Sequence, residues 1–381
     1  MVEAYIVDAV RTPMGKRGGG LSGVHPVDLS AHVLRALVER TGIDPARVDD
    51  VIWGCVGQIG AQAWNIARNA WLSAGFPEEV PGVTIDRQCG SSQQAVHFAA
   101  QGVMAGVYDL AIAGGVEVMS LVTLNSSGTV GPDLGFRYPF DGDLWNERYG
   151  DQEIHQFRGG ELIAERWDIS RREMEELALA SHAKAANAWA EGRFDTQVVP
   201  IGDCARDEGI RETTLEKMAT LAPIREGGRL TAAVSSQITD GSAALLIASE
   251  RAVQEHGLTP RARIHHMSVV GSDAVLILTG PIPATKRAFD RTGLGVDDID
   301  LFECNEAFAS VVLAWARETG VPLDKVNVNG GAMALGHPLG ASGARLMTTL
   351  VNELERTGGR YGLQTMCEGG GLSNATILER I

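Results

Sequence analysis

Three residues in this chain stand where side chains can react. Cys89 lies in Ile85-Asp86-Arg87-Gln88-Cys89-Gly90-Ser91-Ser92, where a short strand ends, turns on a glycine and restarts as a helix. The apolar residues Ala95, Val96, Phe98, Ala99, Val103, Met104 and Val107 fall mostly at helical spacing, which predicts that helix. The first-turn N–H groups of a helix have no partner within it and offer positive charge to a nearby sulfur. A free thiol titrates at roughly 8.5, and such a corner lowers that value, so Cys89 is expected to be a thiolate-prone nucleophile. A lone cysteine is more often a small buried hydrophobe. This one has company.

The second and third residues lie near the C-terminus. Asn329 to Arg345 carries Gly336-His337-Pro338 at another loop-to-helix corner, and apolar residues recur at Leu346, Met347, Leu350, Val351 and Leu354 until Gly358-Gly359 stops the helix. Cys367 enters the triple glycine Gly369-Gly370-Gly371 after a predicted strand. Glycine lets backbone approach a ligand closely and aim its N–H groups there. Asn305, before Glu306-Ala307-Phe308, would on its own be read as a helix cap. Two cysteines and a histidine, all at element ends beside glycines, are harder to read as packing and turns alone.

The elements that must hold these residues form an internal repeat. Val48-Asp49-Asp50-Val51 begins 41 residues before Cys89, and Val296-Asp297-Asp298-Ile299 begins 41 residues before His337. Arg40-Thr41-Gly42 and Arg291-Thr292-Gly293 precede the two copies. Each reactive corner leads through a helix to an apolar strand, Leu110 to Gly115 and Leu363 to Cys367. A duplicated α/β unit predicts a site between the halves, at strand ends. The stretch between the halves differs in composition, with Trp145, Trp167 and Trp189 and a helical run from Arg171 to Glu191. Within it, Gly131 to Arg148 has no clear period and reads as an irregular cover.

Composition narrows the function classes. At 381 residues with 44% hydrophobic content, the chain exceeds one ordinary domain and can bury a core. Five cysteines, widely spaced and without a CxxC pair, suit a reducing cytoplasm better than a disulfide framework. Val2 to Val7 reads as a strand and not as a signal peptide. No apolar run approaches the roughly 18 residues of a membrane span. A net charge of -15 argues against a nucleic-acid partner. His265-His266 is not expected to bind metal, since neighbouring strand residues face opposite ways, and Cys304 is expected to pack.

With Cys89 in Cys-Gly-Ser-Ser, Asn305-Glu306-Ala307-Phe308, Gly336-His337-Pro338 with Ser342-Gly343, and Cys367 before its glycines, the chain resembles the thiolases over nearly its whole length. The wording Gln88-Cys89-Gly90-Ser91-Ser92-Gln93-Gln94, Cys367-Glu368-Gly369-Gly370-Gly371 and Gly280-Pro281-Ile282-Pro283-Ala284-Thr285 is most similar to bacterial thiolases of steroid breakdown. The resemblance implies an α/β five-layer αβαβα sandwich of two halves, residues 1–120 with 231–259 and residues 260–381, and an inserted loop domain over 121–230. It implies thiolysis of a 3-ketoacyl-CoA by CoA, with CoA as substrate and no cofactor or metal, in a homodimer or homotetramer.

By the same resemblance Cys89 is the nucleophile, His337 its base and Cys367 the proton donor. One oxyanion hole uses His337 and a water held by Asn305; the other uses the N–H groups of Cys89 and Gly369. Ser236 matches a serine that bonds the pantetheine arm, although Val234 and Gln237 depart from the family wording. His155 matches a substrate-pocket histidine without the usual Met-Gly after it, and Arg211 is a candidate for the CoA nucleotide or an ordinary surface arginine. The alternatives are a biosynthetic acetoacetyl-CoA thiolase, a ketoacyl-synthase-type condensing enzyme, which the second cysteine opposes, a non-catalytic lipid-binding relative, which would have lost a reactive residue, and a scaffolding partner in a β-oxidation complex, which needs none. Similarity to steroid-breakdown enzymes leads to the expectation of a bulky or branched acyl group.

Overall fold

The computed structural model describes residues 2–381. In the first half, β1 (Ala4–Arg11) and the short β2 (Gly15–Lys16) precede α1 (Pro26–Thr41), β3 (Asp50–Gly54), α2 (Ile66–Ser73) and β4 (Gly82–Ile85). Then come α3 (Ser91–Met104) and β5 (Leu110–Val118). The inserted stretch holds α4 (Ser126–Asp133), α5 (Asp143–Tyr149), α6 (Gln156–Arg166), α7 (Arg171–Ala190) and α8 (Leu215–Ala219). The first half closes with β6 (Thr239–Ser249) and α9 (Glu250–Glu255). The second half runs through β7 (Ala262–Gly271), α10 (Pro281–Thr292), β8 (Leu301–Cys304) and α11 (Ala309–Thr319). It ends with α12 (Ala332–Leu335), α13 (Leu339–Thr357), β9 (Tyr361–Glu368) and β10 (Leu372–Arg380).

The repeat seen in the sequence reappears as topology. Strand order is β4-β3-β5-β6-β1 in one half and β7-β10-β9-β8 in the other. In each half a parallel pair, β3 with β5 and β8 with β9, is followed by two antiparallel pairings. Among the described residues the half-sheets pair only where Tyr5 and Ile6 of β1 meet Arg263 and Ala262 of β7. Helices α3 and α13 pack against each other, α3 mainly on strands of the first half-sheet and α13 on strands of both. Helices α1 and α2 cover the outer face of one half-sheet, and α10 and α11 that of the other. Five layers result, as the resemblance implied.

Side-chain size decides which face of each strand meets which layer. Leu110 and Ile112 of β5, with Leu246 of β6, join Leu29, Leu34, Trp53 and Trp71 in the outer core. The intervening Ala111 and Ala113, with Leu245 and Ile247, face Ala95, Ala99, Ala344 and Met347 of the central helices. Strands buried on both faces read as unbroken apolar runs, which is why Leu110 to Gly115 marks β5 in the sequence. A matching outer core in the second half gathers Ala284, Ala288, Phe302, Trp315 and Ile377. Cys304 belongs to it and packs, as expected.

The inserted stretch has its own core, in which Ile163, Met174 and Ala178 meet Phe308, Met333 and Cys367. The long helix α7 starts in a capping box between Ser170 and Glu173, matching the expected run. Gly131 to Arg148 is less irregular than its sequence suggested, since α4 and α5 flank it. Neither helix buries a residue, so no apolar period could reveal them. Phe140 stacks on Trp145, and Trp145 lies tilted against Tyr149, which holds α5.

One fully buried ion pair fastens the insertion to the first half. Arg11 at the end of β1 donates to both oxygens of Asp207 at 2.7 and 2.9 Å, and the Met14 N–H and the Trp189 indole N–H also donate to that carboxylate. Removing one member of such a pair leaves a buried charge at a cost of about 3–5 kcal/mol, whereas replacing both with apolar residues costs less. Arg11→Met should therefore lower stability by about that amount in guanidinium unfolding, and Arg11→Met with Asp207→Leu by less than the single change. A single substitution costing under about 1 kcal/mol would remove this pair from the account.

Candidate active site

The first reactive corner is built by backbone in an unusual conformation. Gln88 has φ 50°, in the left-handed region that non-glycine residues enter at a cost of about 1–2 kcal/mol. Its N–H donates to Asp86 Oδ1 at 2.6 Å, and its carbonyl accepts from Ser91 Oγ at 2.6 Å. Ser91 Oγ in turn accepts from the Arg87 N–H at 2.9 Å. These bonds aim Cys89 into the space between the halves at the start of α3.

The thiol there is not the thiolate that the sequence led us to expect. Burial pushes the Cys89 thiol up to about 12, with a further push from the Glu368 carboxyl where that group is ionised. The N–H groups of Gly369 and of Cys89 itself oppose it and are outweighed. The sequence reading counted the helix start and had no means of counting desolvation, which disfavours the charged form. Cys89 is therefore a neutral thiol until a substrate carbonyl is present to take the charge.

The second corner positions His337. Gly336 has φ 96°, and a Cβ there would lie 2.1 Å from Thr239 Oγ1, so only glycine fits this turn. The His337 N–H is held by the Gln237 carbonyl and Thr239 Oγ1, each at 3.2 Å. Nδ1 of the ring lies 2.6 Å from Ser342 Oγ, which donates its own hydrogen to the Pro338 carbonyl at 2.8 Å. With that hydrogen committed, Ser342 accepts from Nδ1–H, which leaves Nε2 with its lone pair. Asn305 Nδ2 lies 3.3 Å from Nε2. Burial, with the Arg345 guanidinium second, pushes His337 down to about 3, so the ring is neutral at any ordinary pH.

These residues share one cavity of about 300 Å³, whose lining includes Cys89, Ser236, His155, His337 and Gly369. Cys367 is fully buried at the end of β9, and burial followed by the charge of Cys89 pushes its thiol well up. It is a neutral thiol within electrostatic reach of Cys89. Asn305 enters through its bond to His337; its Oδ1 has no hydrogen-bond partner among the described residues. His155 caps α6 by accepting from the Phe157 N–H at 3.3 Å. Arg211 does not line the cavity; its guanidinium donates to Gln237 Oε1 at 3.2 Å from an exposed position. His265 and His266 form no metal cluster, and none exists among the described residues.

Two buried carboxylates that no motif pointed to brace the site. Glu117, near the end of β5, accepts from the N–H groups of Val56, Gly57 and Gly340 and from the Gln62 amide at 2.6–3.0 Å. It ties the loop after β3 to the start of α13, the helix behind His337. Glu306 accepts from Ser181, Asn327 and the Met333 N–H and so fixes the loop before α12. A glutamate inside the apolar run Leu110 to Val118 was the available signal for the first. For Glu306 the signal was its place beside Asn305 in Asn305-Glu306-Ala307-Phe308.

The model for the thiolase N-terminal domain matches residues 4–251, and that for the thiolase C-terminal domain matches residues 258–380. The chain belongs to the thiolase family. It is thus an acyltransferase by family. It is 61% identical over 386 residues to steroid 3-ketoacyl-CoA thiolase FadA6 of Mycobacterium tuberculosis, covering 100% of this chain and 95% of that one. It is 43% identical over 397 residues to a 3-ketoacyl-CoA thiolase of Aliivibrio salmonicida, with both chains fully covered. The crystal structure of the Bacillus anthracis acetyl-CoA acetyltransferase superposes with TM-score 0.90 at 39% identity, covering 100% of this thiolase and 99% of that chain.

A neutral Cys89 has a direct signature in this thiolase. Its iodoacetamide alkylation, read by peptide mass, should speed up by about tenfold per pH unit from about pH 6 to about 7.5, because thiolate is the reacting form. A rate already level across that interval would mean a resting thiolate and would contradict the geometry.

Proposed function

We propose that this thiolase cleaves a bulky or branched 3-ketoacyl-CoA with CoA, in lipid or steroid breakdown, and that CoA and the 3-ketoacyl-CoA are its only small-molecule partners, with no cofactor. The observation that carries the reading is the meeting of Cys89, neutral His337 and the Gly369 N–H around one cavity, with Cys367 buried beside it. The identity to a steroid 3-ketoacyl-CoA thiolase supports the substrate class. So does the cavity wall, to which Tyr138, Phe140, Trp145, Phe157 and Phe308 contribute aromatic surface.

The chemistry then runs in balanced steps. Cys89 Sγ attacks the 3-keto carbon while its proton passes to His337 Nε2. The C2–C3 bond breaks, leaving the acyl group on Cys89 and an enolate of acetyl-CoA or propionyl-CoA. Cys367 gives its thiol proton to C2 of that enolate. The CoA thiol gives its proton to the Cys367 thiolate and attacks the Cys89 thioester; collapse releases the shortened acyl-CoA and the Cys89 thiolate, which recovers its proton from His337. In this scheme the N–H groups of Cys89 and Gly369 hold the oxyanion on the acyl group, and His337 with Asn305 holds the enolate oxygen. Loss of one such donor typically raises a barrier by about 2.7–4 kcal/mol. Ser236 lines the path for the pantetheine arm, and Arg211 is kept as a nucleotide contact outside the cavity.

The assembly and compartment belong to the same proposal. One side of β4 is an unpaired edge of the sheet, and Trp64 nearby in the chain is 90% exposed, which supports a homodimer or homotetramer. Five free cysteines support a reducing cytoplasm. Among the described residues no helix is long and apolar enough to cross a membrane.

Two variants separate the cysteine roles. Mixed with acetyl-CoA, Cys367→Ala should gain one acetyl group by intact mass yet fail to cleave 3-ketoacyl-CoA, whereas Cys89→Ala should gain none. An unacylated Cys367→Ala protein would reverse the assignment.

Substrate class is tested by comparing kcat/KM for a ring-derived or branched 3-ketoacyl-CoA and for acetoacetyl-CoA. The former should be at least about tenfold higher, or about 1.4 kcal/mol, and Trp145→Ala should erase most of that margin. Equal or better use of acetoacetyl-CoA would favour the biosynthetic-type alternative, consistent with the acetyl-CoA acetyltransferase neighbour.

A further inference from the structure

Glu368 is a buried carboxyl that the acyl-transfer steps do not use. It follows Cys367 on β9 and is fully buried, and neither carboxylate oxygen has a hydrogen-bond partner among the described residues. The Asn374 N–H points toward the carboxylate without closing a bond of ordinary geometry. A Cβ on Gly90, the residue after the nucleophile, would lie 2.0 Å from Glu368 Oε1 and 3.1 Å from Asn374 Oδ1. Two buried oxygens thus converge on the Cys89 corner. Asn374 cannot relieve this by turning its amide, because its Nδ2 is already directed to Gln94 Oε1 at 3.2 Å and His97 Nδ1 at 3.3 Å. Its Oδ1, like the Glu368 oxygens, has no donor among the described residues. A carboxylate in such a place costs far more than a carboxylic acid, whose O–H is itself a donor.

We propose that Glu368 is a positioning residue that must keep its proton for Cys89 to react: as a neutral acid it holds Asn374 Oδ1 and leaves the nucleophile's corner uncharged, and its ionisation turns acyl transfer down. The proposal rests on Cys89 being the nucleophile. The charged and titratable groups facing Glu368 are Arg87, which favours its ionisation, Asp86, which opposes it, and the thiols of Cys89 and Cys367. His97, beside Asn374, is neutral, pushed down to about 3 by burial. Burial is the largest influence on Glu368 and pushes it up to about 8. Below that pH the acid form predominates and Cys89 sees no added charge. Above it a negative charge stands beside Cys89 and Cys367 and disfavours both thiolates, so reactivity should fail to rise where an isolated thiol would react faster.

The test is the alkylation of Cys89 by iodoacetamide from about pH 7 to about 9.5, with thiolysis followed in parallel, for wild type and Glu368→Gln. In wild type the rate of labelling should stop climbing by about tenfold per pH unit near about pH 8 and resume later, and kcat/KM should fall by about tenfold across the same interval. In Glu368→Gln, which keeps the shape and a donor amide, labelling should climb evenly and kcat/KM should hold within about twofold. An even climb in wild type would overturn the proposal whether or not the variant folds. Superposable profiles, or a Glu368→Gln protein that folds but is inactive at every pH, would overturn it too. Labelling needs no turnover, so failure of the thiolase reading itself would appear separately, as absent cleavage with Cys89 labelling intact.

Discussion

Everything at this site depends on an imidazole held neutral and in one tautomer. His337 is buried, its Nδ1–H is fixed on Ser342 Oγ, and Ser342 is itself fixed on the Pro338 carbonyl. A histidine free in water would be charged about half the time near pH 6.5. Here burial and Arg345 remove that charge and keep Nε2 open. Cys89, also neutral, faces the same cavity. Two neutral partners form no resting ion pair, so charge separates only when an acyl carbonyl and its oxyanion donors are present. That suits a thioester exchanger, in which a permanent thiolate would be open to any passing electrophile.

The fold supplies this arrangement by symmetry. Equivalent strands, β3 and β8, each lead toward a central helix, α3 or α13, and the two helices pack side by side between the half-sheets. Cys89 stands at the start of one helix and His337 just ahead of the other. Glu117 then couples the halves, because one carboxylate bonds both the loop after β3 and the Gly340 N–H. The insertion closes the cavity from above and is pinned by Arg11 and Asp207. Its cover, α4 and α5, buries no side chain of its own, and its aromatic residues are left to line the cavity.

Much of this was legible in the residues. The repeat around Val48 and Val296 foretold two equivalent half-sheets, and the apolar run Leu110 to Gly115 foretold β5. Cys89, His337, Gly369, Ser236 and His155 do line one cavity. What stayed hidden depends on burial or on distant partners. The protonation of Cys89 follows above all from desolvation, which no motif records. Glu117 and Glu306 act through donors scattered over the sequence, and a motif names a residue without naming its partners. Helices α4 and α5 escaped notice because helical periodicity records an apolar face, and neither has a core to face.

The protonation state of His337 is the most direct measurement of the central claim. Protein labelled with ¹⁵N-histidine holds nine such residues, and a difference spectrum against His337→Gln identifies the ring in question. Long-range ¹H–¹⁵N spectra recorded from about pH 5 to about 8 report both tautomer and charge. The account predicts a proton on Nδ1, an unprotonated Nε2, and no titration anywhere in that interval. A ring that titrates near about 6.5, or that carries its proton on Nε2, would contradict it.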